Sequence, residues 1–147
     1  MGAHAYWYFT NYDPDHEAAL QSLRRREFLA GRYNPVLRFI DFPIDASSPS
    51  PGAKHASITQ AIQAAGADGT RSILDVERTG PDHDFGVAVR LDDATLIDLY
   101  DTTEPTHEVV EATLDVLDSI DRGQAIYIVI YRGGQPDELF FAGYSYD

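Results

Sequence analysis

Glu27 is the side chain in this sequence best placed to do chemistry. It lies in a stretch, 14–30, whose apolar spacing predicts a helix. On a wheel of about 100° per residue, Leu20, Leu23 and Gly31 bracket the arc that contains it. A carboxylate on an apolar arc has three fates. It forms a structural ion pair with Arg24 one turn earlier, or with Arg32, Arg38 or Arg71 from elsewhere, because unpaired burial of a charge is costly. It lies at a pocket rim as a ligand-binding or proton-transfer group with a shifted pKa. Or it is simply exposed. In the pocket case Glu27 would be the acid/base or cation-binding group, Arg32 and Arg71 would anchor an anion, and tyrosines would form the walls. A lid carrying Lys54 and His55 would then close over them.

Tyrosine is the second chemical signal. Tyr6, Tyr8, Tyr12, Tyr127, Tyr131, Tyr144 and Tyr146 all fall in segments that read as strands. Residues i and i+2 of a strand share a side, so several rings can line one sheet face. They cover the less buried face of the sheet, or they make an aromatic binding face in which Tyr6 and Tyr8 meet a ligand. Stacking single-stranded nucleic acid there needs a basic surround, and the net charge of −13 opposes it. The third signal is acidic. Over 105–122 a helical period sets Val109, Thr113, Val116, Leu117 and Ile120 on one face and Glu108, Glu111, Asp115 and Asp118 on the other.

Other groupings carry less. His107 and Glu111 stand one turn apart, as in zinc-binding helices, but the second histidine is absent and acids near a helix N-terminus are explained by its dipole. Asp82-His83-Asp84 with Asp75 and Glu77 offers hard oxygen ligands without a calcium-loop spacing and reads as a polar turn. Arg24, Arg25 and Arg26 fan over roughly 200° of a helix and make no single basic face. There is no phosphate loop, no dinucleotide-binding glycine motif and no nucleophile elbow. The chain has no cysteine, which excludes disulfides, thiolate nucleophiles and cysteine metal sites. No cofactor and no metal are expected.

The elements that must position these groups follow from turns and periods. Alternation over 4–12 predicts a strand with Ala5, Trp7 and Phe9 on one side and Tyr6 and Tyr8 on the other. Asp13-Pro14 reads as a cap and first helical position, with Gly31 and Pro35 ending the helix. A short strand is expected at 36–42, and a mobile, exposed Ser/Pro loop at 45–56. Ser57 with Gln60 predicts a capping box and a small helix to Gly66. Two strands, 71–78 and 85–91, would be joined by a polar turn, and 95–100 is ambiguous between strand and helix. After the 105–122 helix, 125–131 and 139–146 form a hairpin turned at Gly133-Gly134. The order implies an α+β single domain over 1–147: a mostly antiparallel sheet of about five to six strands, with two longer helices and one short helix packed on one face.

Composition agrees with a single folded unit. The chain has 147 residues, 44% hydrophobic and 24% charged, enough to bury a core. No apolar run approaches the ~20 residues of a membrane helix, and no basic-then-apolar leader opens the chain, so a cytoplasmic location without membrane contact is expected. Eleven basic residues against 24 acidic ones exclude a general binder of nucleic-acid backbones. Lys54 is the sole lysine and Asp outnumbers Glu 17 to 7, the bias of a GC-rich or mildly salt-adapted host.

Arg26-Glu-Phe-Leu-Ala-Gly-Arg-Tyr-Asn-Pro35, Gly69-Thr-Arg-Ser-Ile-Leu-Asp75, Gly123-Gln124 and Phe141-Ala-Gly-Tyr-Ser145 resemble segments of a group of small uncharacterised bacterial proteins with no known activity. The resemblance spans nearly the whole chain and implies no chemistry. It does point to Glu27, Arg32, Tyr33, Arg71 and Asp75. The sequence as a whole reads as a non-enzymatic binding module, monomer or homodimer, whose acidic surface suits a basic protein partner as in an immunity-type protein. The alternative is a small-molecule site or small enzyme around Glu27, arginines and tyrosines.

Overall fold

The computed structural model describes residues 3–146. Five strands, β1 (Ala5–Asn11), β2 (Arg78–Thr79), β3 (Val87–Arg90), β4 (Ala125–Arg132) and β5 (Gln135–Tyr144), form one sheet in the order β1-β5-β4-β3-β2. The alternation expected of the aromatic first strand is realised: Tyr6 and Tyr8 enter one core, Trp7 and Phe9 pack toward the other. The C-terminal hairpin also forms, with Gly133 and Gly134 both at positive φ, the conformation that such a two-residue turn requires. β1 pairs antiparallel with β5 and β5 with β4, whereas β4, β3 and β2 run parallel.

The α+β class therefore holds: the long pairings of the sheet are antiparallel, as expected, and the short pairings at the β2 edge run parallel and make it mixed. The helices cover both faces instead of one. α1 (His16–Ala30) and α2 (Ile58–Ala65) lie over Tyr6, Tyr8, Tyr127, Val129, Leu139 and Phe141. Beneath the other face lie α3 (Asp93–Tyr100), α4 (His107–Ala112) and a 3-10 turn at Asp115–Ser119, packed on Ile126, Ile128, Ile130 and Phe140. A central strand buried on both sides must be apolar throughout, and Ala125-Ile-Tyr-Ile-Val-Ile130 is.

Several local expectations change. The cap of α1 is Asp15, whose side chain accepts from Ala18 N, while Asp13 accepts from Asp15 N in the turn ahead. No strand forms over 36–42. Pro35 and Pro43 bracket it and lack donors for a ladder, and Phe42 instead packs its ring tilted against Trp7 and edge-on to Tyr8. The 71–78 strand shrinks to two residues. Ser72 and Asp75 turn their side chains onto nearby backbone donors, Leu74 N and Thr70 N, and the chain makes a 3-10 turn at Ile73–Asp75, local bonding that competes with a ladder. The remaining β2 pairs parallel with β3, so the polar connection 80–86 is a crossover and not a hairpin. The ambiguous 95–100 segment is helical.

The 105–122 helix breaks at Thr113, which is extended. The break has a packing cause. Val110, Val116 and Ile120 all reach the core, yet positions 110 and 116 lie about 120° from a common face on a continuous helix. Val109, expected inward, is exposed. The 45–56 segment has no regular structure and is largely exposed, but it is tied down: Gly52 N donates to Ala30 O and Lys54 N to the Tyr33 hydroxyl.

Candidate functional site

Glu27 is wholly buried, as its place on the α1 wheel requires. α1 stops at Gly31 in the left-handed conformation, and the chain turns back so that Arg32 N donates to Glu27 O. That return lays the Arg32 guanidinium along the Glu27 carboxylate, Nε to Oε1 at 2.7 Å and Nη2 to Oε2 at 2.8 Å. Arg26 Nε adds a third bond to Oε2 at 2.8 Å. Two parallel bonds from one guanidinium are the strongest form of carboxylate recognition. The bond to Glu27 raises the Arg32 pKa above its ordinary value despite burial. Of the three fates open to Glu27, the geometry is that of the structural ion pair, made with Arg32 and Arg26. Arg24 and Arg71 donate elsewhere, and among the described residues no bond joins Arg38 to Glu27.

The other expected site residues are not gathered around it. Tyr6 and Tyr8 are among the most buried side chains of the molecule rather than the cover of an open face. The Tyr8 hydroxyl accepts from Ile73 N, and burial together with the Glu27 charge pushes its pKa well up. Tyr33 is fully buried; its hydroxyl pairs with His55 Nδ1 at 2.8 Å. Asp75 accepts from Thr70 N and Oγ1; burial raises its pKa against those bonds. Arg71 takes the left-handed backbone at φ 53°, donates to Arg38 O, and its guanidinium lies 5.2 Å from the Phe39 ring centroid. It borders a cavity of about 300 Å³ with His4, Arg38, Phe39 and Phe42, while Asp75 borders a different one of about 380 Å³.

Glu108, Glu111, Asp115 and Asp118 are all exposed, on two elements instead of one helix. They belong to a larger feature. Between 92 and 121 the sequence places ten Asp and Glu residues and no Lys or Arg, and every one of the ten is exposed. Asp92, Asp93, Asp98 and Asp101 come with α3, and Glu104 and Asp121 flank the rest. Ile97 and Val109 stand exposed on the same layer. α3, α4 and the 3-10 turn face the sheet with their apolar side, so their carboxylates are turned outward together.

At one end of this layer is a cleft of about 550 Å³ bordered by His107, Tyr131, Arg132 and Glu138. His107 stacks on Phe9, with Nδ1 2.7 Å from Glu138 and Nε2 3.5 Å from Glu111. Both ring nitrogens thus face carboxylates. Among the described residues no three His, Asp or Glu side chains converge as metal ligands. Partial burial disfavours the charged ring, but the Glu138 bond and the charges of Glu138 and Glu111 outweigh it and raise the imidazole pKa. A raised pKa stabilises the fold fully below the unfolded value of about 6.5, and that contribution fades as pH climbs through the folded value. Glu138→Gln should move the His107 midpoint, followed by NMR of its ring protons, downward; an unchanged midpoint would show that the contact does not hold in solution.

The structure is thus of the α+β class, with one helical layer of single charge sign. No protein-family model, curated protein or solved structure matches the chain. No helix among the described residues is long and apolar enough to cross a membrane.

Proposed function

We propose that this protein is a non-enzymatic binding module that docks a basic protein partner on its α3–α4 layer, a role of the immunity type. The observation that carries this reading is the run of ten exposed carboxylates without a single Lys or Arg over 92–121. Such a surface draws in a cationic partner and speeds encounter. Ile97 and Val109 supply apolar contact area within it, of the kind that slows dissociation. The reading centred on a pocket at Glu27 is less well supported, because that carboxylate already takes three charge-assisted bonds.

The test compares partner capture from host lysate by the native chain, by Glu111→Lys/Asp115→Lys, and by Asp82→Lys as an exposed control outside the layer. Native mass spectrometry identifies the captured protein, and association is then timed with that protein purified. The double reversal should slow association at low salt by at least about tenfold, while the control leaves it unchanged. A captured partner whose association ignores the double reversal binds elsewhere, and the acidic layer loses its role.

A further inference from the structure

On the opposite side of the sheet, between α1, α2 and the chain leading into β2, runs the groove of about 380 Å³ that Asp75 borders. Its floor holds Arg24, only 9% exposed. The guanidinium has five N–H donors. One Nη1 bond goes to Gln21 and one Nη2 bond to Leu74 O, while Nε is buried with no acceptor. No carboxylate closes on Arg24 within ion-pair distance among the described residues. A nearly buried cation without a counter-ion, in a chain that carries 24 carboxylates, is costly to keep. Burial accordingly lowers its pKa, and of the carboxylates that counter this Glu77 acts most strongly.

Glu77 borders the same groove, and among the described residues its carboxylate closes no ion pair. Arg24 and Glu77 therefore face one groove with opposite charges, near enough to influence each other and not closed on each other, while the Asp75 carboxylate beside them is taken up by Thr70. Above them the walls are apolar. Ile58 and Ile62 come from one face of α2, and Phe85 and Tyr146 meet with ring centroids 5.9 Å apart. Phe85 is 65% exposed and Ile62 38%, so the apolar surface is open to an incoming body. The volume falls in the range of small-molecule sites.

We propose that this groove binds a small zwitterion with an apolar or aromatic body, the class of free α-amino acids. The ligand carboxylate takes the open donors of Arg24, its ammonium meets Glu77, and its side chain lies against Ile62, Phe85 and Tyr146. Arginine suits the first role because its planar fork matches a carboxylate. An anion alone would leave Glu77 repelling it, and a cation alone would leave the second N–H groups of Arg24 Nη1 and Nη2 without an acceptor. This site does not depend on the acidic layer.

NMR titration of the full chain with L-phenylalanine and L-leucine tests it, alongside 3-phenylpropionate and phenethylamine, each of which lacks one charge. Saturable shifts at residues of the groove are expected for at least one amino acid, with either single-charge analogue of phenylalanine at least tenfold weaker than phenylalanine itself. Glu77→Gln and Phe85→Ala, at exposed positions that preserve the fold, should each weaken binding several-fold. Absence of saturation by both amino acids up to about 10 mM would overturn the proposal. So would equal affinity for an analogue lacking either charge, or affinity that survives both substitutions.

Discussion

Glu27→Ala should lower the free energy of unfolding by about 3–5 kcal/mol, the cost of removing one member of a buried ion pair. The size comes from what remains behind. Arg32 and Arg26 lose the acceptor of three charge-assisted bonds, and the Arg32 side chain, 11% exposed, keeps a charge that water reaches poorly. Against a total stability of about 5–15 kcal/mol for a domain of this kind, such a loss removes at least about a fifth of it. Denaturant titration with an unchanged m-value measures it. The double variant Glu27→Ala/Arg32→Ala should lose less than the sum of the two singles, because the second substitution removes the stranded charge. A single-variant loss below about 1 kcal/mol is the size of a surface pair, and would mean that the return of the chain after Gly31 does not bury these groups.

Gly31→Ala should cost about 2–5 kcal/mol by a different route. A side chain at φ 75° carries the left-handed penalty, about 1–2 kcal/mol, and the added Cβ would fall onto the backbone of Gly52. Gly52 donates to Ala30 O, so relieving the collision breaks the bond that ties the 45–56 segment to the end of α1. Overpacking of this kind adds about 1–3 kcal/mol. Gly133→Ala is the control: its φ is 58° and nothing lies within reach of its Cβ, so only the conformational penalty applies. Calorimetry of both variants separates the two contributions. Equal melting temperatures would mean that Gly52 is not held against Gly31.

Much of this molecule was legible before any coordinates, and what escaped did so for physical reasons. Alternation placed Tyr6 and Tyr8 opposite Trp7 and Phe9, because a half-buried strand has a period of two. It did not reveal that the tyrosines are the more buried set, since that depends on α1 lying over them. The inward turn of Glu27 could be read from the wheel. The same wheel carries Arg24 inward, four residues after Leu20 and three before Glu27, but a run of three arginines that fans around the helix does not say which of them the fold buries. Asp75 drew notice for its type, while its bond to Thr70 required a turn that strand-like residues 71–78 did not announce. Parallel pairing of β2 with β3 was hidden because a polar connection between two short apolar runs looks the same for a hairpin and a crossover. The acidic layer was half visible. The period over 105–122 sets Glu108, Glu111, Asp115 and Asp118 together on a helix that in fact breaks, and the α3 acids are hidden because the period of their segment fits strand and helix alike.

The strand order has a consequence for how the chain reaches its native state. β5 follows every other strand in sequence, yet it lies between β1 and β4, and its pairing with β1 joins Ala5 to Tyr144. The interior of the sheet is therefore completed by the strand that comes last of the five in sequence. Until then β1, rich in aromatic residues, has no strand beside it, and the apolar β4 lacks one neighbour. Unpaired edges of that composition are sites of self-association, and contacts of such long sequence separation slow the search for the native topology. The chain is thus most exposed to aggregation until β5 has been made and has inserted between β1 and β4.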